Sequence, residues 1–595
     1  MTLTAELPLV VSAIALALVA LVLAFPYPDV TRRRAFGFVI AIVGLIAPAA
    51  IFAARQGTVG TSRALWEWSA VGGPTIQASY RFDGIAAIGV LLTVAYGAAG
   101  LLAIARASVG RPLLPSLVLA LGLVSIALHV TEDLVAAIVV LGAIGAITAF
   151  ITLLVAPPPA SARLAAFLAI GVQAFVVSAL LISRFGGASF SYSEIRPTWI
   201  SPGVILAASL GAALFAGLYP FVPWRFERAR ANAAEREPLR GLLAMPAGIG
   251  ASLVLLRLLG ATRGDLVDLR LPGADPALRI AVAAAIIAAL AIAARRRRRE
   301  RVARPALVLG ALGVAATVAY PSIHWSHVVL AAALLTVLYA AAVSLARPDE
   351  WDVVRYDVAL AGFWIAIAVG TPLAIAGGLV LLVAEALTAL AENTWTPPHI
   401  AQIGAVVTSS MFVAAALAVG AGVLSAPDLV AQAFAAIALV ALLALELIHI
   451  GRRLSVAFAP PELDVTAAAS AFLLSLLGAM LLALPLSASL SEIGLPLLVD
   501  ASAPLVVAAL VMSSTVLVLV ARSVRPFLPD LEPIGARLRM VVSAADPVPA
   551  GMTAFGYVER AATGSSAAIA LFERRAGVWL ATLLIVALLL WATRS

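Results

Sequence analysis

The chain has 595 residues, 63% of them hydrophobic and 12% charged, with a formal net charge of +8. That balance excludes a soluble globular domain and places the chain among polytopic membrane proteins. Cysteine is absent, and all 39 Lys+Arg residues are arginines. Disulfides, thiolate metal sites and iron–sulfur ligation by this chain are therefore excluded, and so is a lysine proton relay, because arginine keeps the proton that a buried lysine can release.

A membrane-spanning helix takes about 20 apolar residues. In chain order such runs lie near 7–26, 35–54, 83–105, 112–130, 133–156, 164–183, 203–222, 239–260, 277–294, 305–321 and 327–346. The first has no basic stretch before it and no small-residue cleavage pattern, and is read as a retained helix. A longer run, 356–391, is interrupted at Gly370-Thr371-Pro372, and further spans lie near 402–423, 429–450, 466–486, 500–521 and 577–593. The expected total is 17 helices if 356–391 crosses once and 18 if it crosses twice. Before the last span, residues 522–576 mix charged and apolar residues, as an amphipathic surface segment does.

Arginine placement sets orientation. The odd-numbered loops among the first eleven spans carry RRR (32–34), Arg106 and Arg111, RFERARANAAEREPLR (225–240), RRRRRER (295–301) and RPDEWDVVR (347–355). These loops are expected on the cytoplasmic side of a prokaryotic plasma membrane, with the N-terminus outside. The five-arginine block reads as a solvated cytoplasmic loop, so no nucleic-acid partner is expected.

Residues 214–224 read LFAGLYPFVPW. Pro220 and Pro223 break a run that would otherwise pass as one span, since proline removes a helix donor and clashes with the preceding turn. Broken membrane helices often mark transport sites, but such sites also carry an ionisable residue, and this run has none.

Several stretches taken together resemble a known family. WEWSAVGGPTIQASYRFDGIA (66–86), TEDLVAAIVVLG (131–142), SLGAALFAGLYPFVPW (209–224), LLAMPAGIGASLVLLRLLG (242–260), RERVARPALVLGALG (299–313), HVVLAAALLTVLYAAAVSL (327–345) and AVGTPLAIAGG (368–378) follow one another in the order and spacing of the large antiporter-like membrane subunits. These occur in respiratory complex I (NADH-quinone oxidoreductase), group 4 membrane hydrogenases and multisubunit cation/proton antiporters. The resemblance covers residues 1–392 by order, spacing and helix breaks. It implies an all-α polytopic fold with two inverted five-helix repeats that contain broken helices.

The family's activity rests on a membrane-centre row of ionisable side chains, and here nearly every position departs from it. The resemblance puts Gly142 at the glutamate of the fifth helix and Phe215 at the lysine of the broken seventh. Ile249 falls at the eighth-helix lysine, Leu335 at the eleventh-helix lysine, and Val380 at the charged site of the twelfth. His327 alone matches, as the first histidine of the eleventh helix. Losing Gly142's glutamate and Phe215's lysine together relieves a cost on both sides, because either charge alone would be buried and uncompensated.

Other ionisable residues lie outside that row. His129, Glu132 and Asp133 lie together at the end of a span and read either as a proton entry point or, by preference, as a short solvated turn. His324 and His327 make an incomplete metal set. Glu385 lies in LVLLVAEALTALAE, with Glu392 seven residues on and on a similar helix face; an intramembrane glutamate is a functional hypothesis by default. Glu446 and His449 read as a structural pair near Arg452, or as part of a relay. Arg257 reads as snorkelling to the interface.

The expected organisation is N-terminal helices (1–130), a first repeat with its helix broken at Pro220 (131–260), a second broken at Gly370 and Pro372 (261–392), C-terminal helices (393–521), the surface segment (522–576) and a terminal helix (577–595). The expected role is that of an antiporter-like subunit of a complex I-related energy-converting assembly, structural or coupling, with the Glu/Lys proton path degraded. Its partners would be other membrane subunits and the bilayer. No catalytic site, cofactor or metal of its own is expected; the chain would be a non-catalytic membrane subunit of an oxidoreductase. Two alternatives stand beside this: a stand-alone secondary transporter built on the broken helices, and a proton-pumping subunit rerouted through Glu385, Glu446 and His449.

Overall fold

The computed structural model of the chain describes residues 63–69, 74–106, 114–155, 158–219, 221, 239–260, 324–346, 350–393, 398–425, 429–457, 503–524 and 531–545. The expected spans near 7–26, 35–54, 277–294, 305–321, 466–486 and 577–593 lie outside the described residues, as do Pro220, Pro223 and the arginine blocks of 225–238 and 295–301. The described residues are helical apart from one hairpin, the loop of residues 185–201 and short connections. The hairpin is formed by β1 (Arg63–Ser69) and β2 (Thr75–Tyr80), paired antiparallel with Glu67 opposite Gln77 and Trp68 opposite Ile76.

The helices are α1 (Gly84–Arg106), α2 (Leu114–Val130), α3 (Leu134–Val155), α4 (Pro158–Arg184), α5 (Pro202–Ala216), α6 (Leu239–Gly260) and α7 (Trp325–Ala346). They continue with α8 (Trp351–Val369), α9 (Pro372–Asn393), α10 (Pro398–Leu424), α11 (Leu429–Ala457), α12 (Ala503–Val524) and α13 (Glu532–Ala545). Seven of them are long and apolar enough to cross a membrane, and the chain is a multi-pass membrane protein.

Local chemistry sets the helix ends. Asp83 caps α1 by accepting the Ala86 N–H at 2.6 Å, and Asp133 caps α3 by accepting those of Val135 at 2.8 Å and Ala136 at 3.0 Å. Prolines open α4, α5, α9 and α10, where the missing donor costs nothing. The α5 helix ends before Pro220: Gly217 adopts a left-handed φ of 63° and returns its N–H to Ala213. The next loose donor, Tyr219 N–H, is taken by Thr336 Oγ1 of α7 at 2.9 Å, so the break is satisfied inside the protein as lipid requires.

The interruption at Gly370-Thr371-Pro372 differs from a mid-helix break. Gly370 has φ 71°, and Thr371 accepts the Ala374 N–H at 3.4 Å at the start of α9. From there α9 returns alongside α8: Gly378 packs on Ala366 and Phe363, Gly362 on Leu381, and Arg355 meets Glu385 and Glu392. The run 356–391 is thus two antiparallel helices joined by a tight turn, and it traverses the bundle twice. The α9 helix is among those long and apolar enough to cross a membrane, and the 19 residues of α8 extend about 28 Å at ~1.5 Å per residue.

The core is continuous through α1–α11, with Trp364, Arg355, Tyr96, Tyr356, Phe175 and Phe215 among its largest fully buried side chains. Small residues let helices approach closely, as where Gly377 of α9 meets the α10 backbone at Ala415 and Val419. Of the amphipathic segment, α13 is described; it lies along α7, with Gly535 tight against the backbone of Leu345 and Ala346.

Candidate functional site

Two buried charge clusters lie at opposite ends of the bundle. Gly248 of α6 packs on Leu360 of α8, and four residues further on in each helix Trp364 Nε1 donates to Ser252 Oγ at 2.9 Å. The two helices therefore run the same way. Arg257 near the end of α6 and Arg355 near the start of α8 are separated along them by about 21 Å, at ~1.5 Å per residue.

The first cluster centres on Arg257. Its Nη2 lies 2.7 Å from Asp83 Oδ1 and donates to the His129 carbonyl at 3.1 Å, while Nη1 lies 3.8 Å from Glu132 Oε2. Glu132 Oε1 also accepts from Ser191 Oγ at 3.3 Å and the Ser193 N–H at 3.1 Å, with Arg81 Nη1 at 3.8 Å. The His129 ring meets Thr93 Oγ1 at 3.0 Å. Arg257 also stacks over Tyr192. Backbone bonds knit the same region together: Glu132 N–H to Ser79, Leu134 N–H to Phe190 and Tyr192 N–H to Glu132.

This geometry corrects two expectations. His129, Glu132 and Asp133 form no solvated turn; all three are buried, Glu132 and Asp133 completely. The hairpin and the 185–200 loop fold over them, which the chain's local pattern does not encode. Arg257 does not snorkel either: it is 8% exposed and neutralises Asp83 from across the fold. Burial pushes the Asp133 carboxyl above the usual aspartate range, against the N–H groups of Ala136, Gln77 and Val135 that favour its ionised form. Burial likewise raises the Tyr192 phenol.

The second cluster centres on Arg355, 2% exposed. Its Nη1 and Nη2 grip Glu392 as a fork, at 2.7 and 2.6 Å, and its Nε lies 3.0 Å from Glu385 Oε1. Nη2 also donates to the Tyr356 hydroxyl at 3.0 Å. Glu385 is 2% exposed, whereas the Glu392 side chain is 36% exposed and gives the cluster its opening. The Tyr96 ring lies edge-on to Tyr356, centroids 6.2 Å apart, and its hydroxyl approaches the Leu382 carbonyl at 3.5 Å. Close by, His449 stacks flat on Trp351 at 4.1 Å and meets Ser344 Oγ at 3.1 Å, with Glu446 buried one turn before it.

The remaining predicted residues scatter. His327 sits at the start of α7, its Nδ1 accepting the His324 N–H at 3.3 Å. Among the described residues no three His, Cys, Asp or Glu side chains form a metal-binding set. Phe215 is buried with its ring against Gly145 of α3 and Gly171 of α4, and its carbonyl faces Gly248, next to buried Ile249. Leu335 is 44% exposed on the outside of α7, and Gly142 faces open space. Val380 is half-buried.

Sequence reasoning passed over Arg355, counted as a loop arginine, and over Asp83, Thr93, Tyr96 and Tyr356. A signal existed. Glu385 and Glu392 stand two turns apart on one face, a spacing that one forked guanidinium bridges, and Thr93 and Tyr96 are polar groups three apart in an apolar helix.

The fold with these features is that of the antiporter-like membrane subunits. The chain superposes over 100% of its length on a chain of the Mrp complex from Dietzia sp. DQ12-45-1b, with TM-score 0.58 and 16% identity, and spans 63% of that longer chain. A chain of the membrane-bound sulfane sulfur reductase (MBS), an archaeal respiratory membrane complex, matches 85% of this chain with 99% of its own length covered, TM-score 0.50 and 15% identity. One from respiratory complex I of Thermus thermophilus with bound NADH has the same coverage, TM-score 0.48 and 16% identity. No family profile and no curated protein sequence matches the chain.

Proposed function

We propose that the chain is an antiporter-like membrane subunit of a multisubunit, complex I-related ion-translocating assembly in a prokaryotic plasma membrane. The observation that carries this is the superposition of the whole chain on a subunit of the Mrp complex. The family's Glu/Lys path is absent from this chain, which has no lysine. Buried Phe215 and Ile249 hold two of its positions with apolar side chains, and Leu335 and Gly142 face outward. The region around α5 to α7 then serves as a structural and coupling frame, with the N-terminus outside. The test is gentle detergent extraction of a tagged chain followed by mass spectrometry of what accompanies it. Several small hydrophobic subunits in fixed ratio are expected; a stable monomer that retains a small substrate would instead favour the stand-alone transporter. The pairing of α8 with α9 supports the subunit reading over that alternative, which needs a mid-helix break at Gly370.

A second reading, conduction of protons by a rerouted path, is favoured by one observation: the ion triad of Arg355, Glu385 and Glu392, buried in the bundle with one carboxylate open to the surface. Holding such charges inside a membrane protein is expensive and is usually tied to function.

A further inference from the structure

Between the two charge clusters, polar side chains stand along one face of α1. At one end Glu392 is partly exposed, Arg355 holds it beside Glu385, and Tyr356 carries the contact to Tyr96 of α1. Thr93 stands three residues before Tyr96 and so on the same face of the helix. It is buried and bonded to the His129 ring at 3.0 Å. Gly89, a further turn toward the start of α1, leaves the space the imidazole occupies; a Cβ there would collide with it. Beyond His129 lie Asp83, Arg257 and Glu132, and then Arg81, whose side chain is 22% exposed. From Tyr96 to Asp83 this line covers 13 residues of helix, about 20 Å at ~1.5 Å each, much of the thickness of a bilayer core.

At the Arg257 end of the line, the buried Tyr192 hydroxyl and Glu132 Oε2 make no hydrogen bond among the described residues.

We infer that this face of α1, through Tyr96, Thr93 and His129, conducts protons between the two charge clusters. The inference rests on the rerouted-path reading and supplies its residues; it runs through α1 and α2 and bypasses α5 and Phe215. Proton balance holds at every step. Each hydroxyl accepts a proton on its oxygen as it releases its own, and the imidazole takes a proton at one ring nitrogen and gives one up from the other. The arginines stay charged and fix the carboxylates; the driving force is the gradient across the membrane, so no oxidant or reductant is consumed.

The test uses the full chain, purified with whatever subunits accompany it and reconstituted in liposomes containing a pH-sensitive dye. A potassium gradient with valinomycin imposes the potential. The wild type is expected to admit protons faster than protein-free liposomes. Thr93→Val and Tyr96→Phe, which keep shape and remove a hydroxyl, are expected to slow entry by about tenfold to a hundredfold. Thr93→Ser is expected to retain it, and Phe215→Ala to leave it unchanged. If the wild type conducts no better than empty liposomes, the rerouted reading falls and this inference with it. If the wild type conducts and both hydroxyl deletions match it, the route along α1 is wrong while conduction stands. Should either variant fail to fold, accessibility decides. The natural chain has no cysteine, so Thr93→Cys gives one labelling site, expected to react with a water-borne maleimide while Phe215→Cys does not; equal protection of the two overturns the route.

Discussion

Arg355 is where a single residue most governs the energetics. One guanidinium is shared by two carboxylates, Glu385 buried beside it and Glu392 partly open to the surface. Removing one member of a buried pair leaves an uncompensated charge and costs about 3–5 kcal/mol. Arg355→Leu is therefore expected to destabilise the detergent-solubilised protein by that order, measured by thermal unfolding. Arg355→Leu combined with Glu385→Gln should cost less than the two single effects summed, because the second change removes part of the stranded charge. Arg355→Lys is not a conservative change here, as an ammonium cannot reproduce the fork on Glu392.

Asp133 offers a pH test at the same scale. Burial raises its carboxyl pKa in the folded state, so the folded protein binds that proton more tightly than the unfolded chain does. Stability from this group is thus fully present below the unfolded value and is lost as pH rises through the folded one. Melting temperatures of wild type and Asp133→Asn, compared across pH, should show the wild type gaining on the variant as pH falls. A difference that is flat with pH would count against the assignment.

Among the elements, the α8–α9 pair departs most from a reading by length alone. A glycine with positive φ, a threonine cap and a proline at the first helical position turn the chain by half a revolution within three residues. The pairing then sets Arg355 against Glu385 and Glu392, which no turn geometry alone would do. Single cysteines at Glu350 and Thr371 are expected to label from opposite sides of the membrane, and Glu350 and Asn393 from the same side. Labelling of all three from one side would exclude two crossings. With two crossings, the arginines at 452–453 and at 522 and 525 fall on the side of the other arginine-rich loops. The α5 break is held differently, by Thr336 of α7 accepting the freed Tyr219 N–H.

At the scale of the whole molecule the two clusters act as separate pins. Arg257 joins α6 to the start of α1, while Arg355 joins α8 to α9, about 21 Å away along the helices at ~1.5 Å per residue. The ion-pair partners found for each among the described residues are different. The costs of Arg257→Leu and Arg355→Leu should accordingly add to within about 0.5 kcal/mol in the double variant. A larger coupling energy would mean that the polar line along α1 links them mechanically as well.

Read alone, the sequence determined the membrane class, the positions of most described helices and the succession of motifs that the fold then matched, because apolar run length and proline or glycine placement are local quantities. It also determined that no lysine or thiolate chemistry operates in this chain. Which charges meet was decided only by the tertiary structure. Asp83 and Arg257 are 174 residues apart, and Arg355 and Glu392 are 37 apart. A buried arginine in a span looks in sequence like any arginine in a loop. The burial of His129, Glu132 and Asp133 came from a hairpin and a loop folding over them, and the outward aspect of Leu335 from the packing of α7. Hydrophobic pattern registers that a side chain is apolar or charged; only the packed neighbours fix whether it is paired, plugged or exposed.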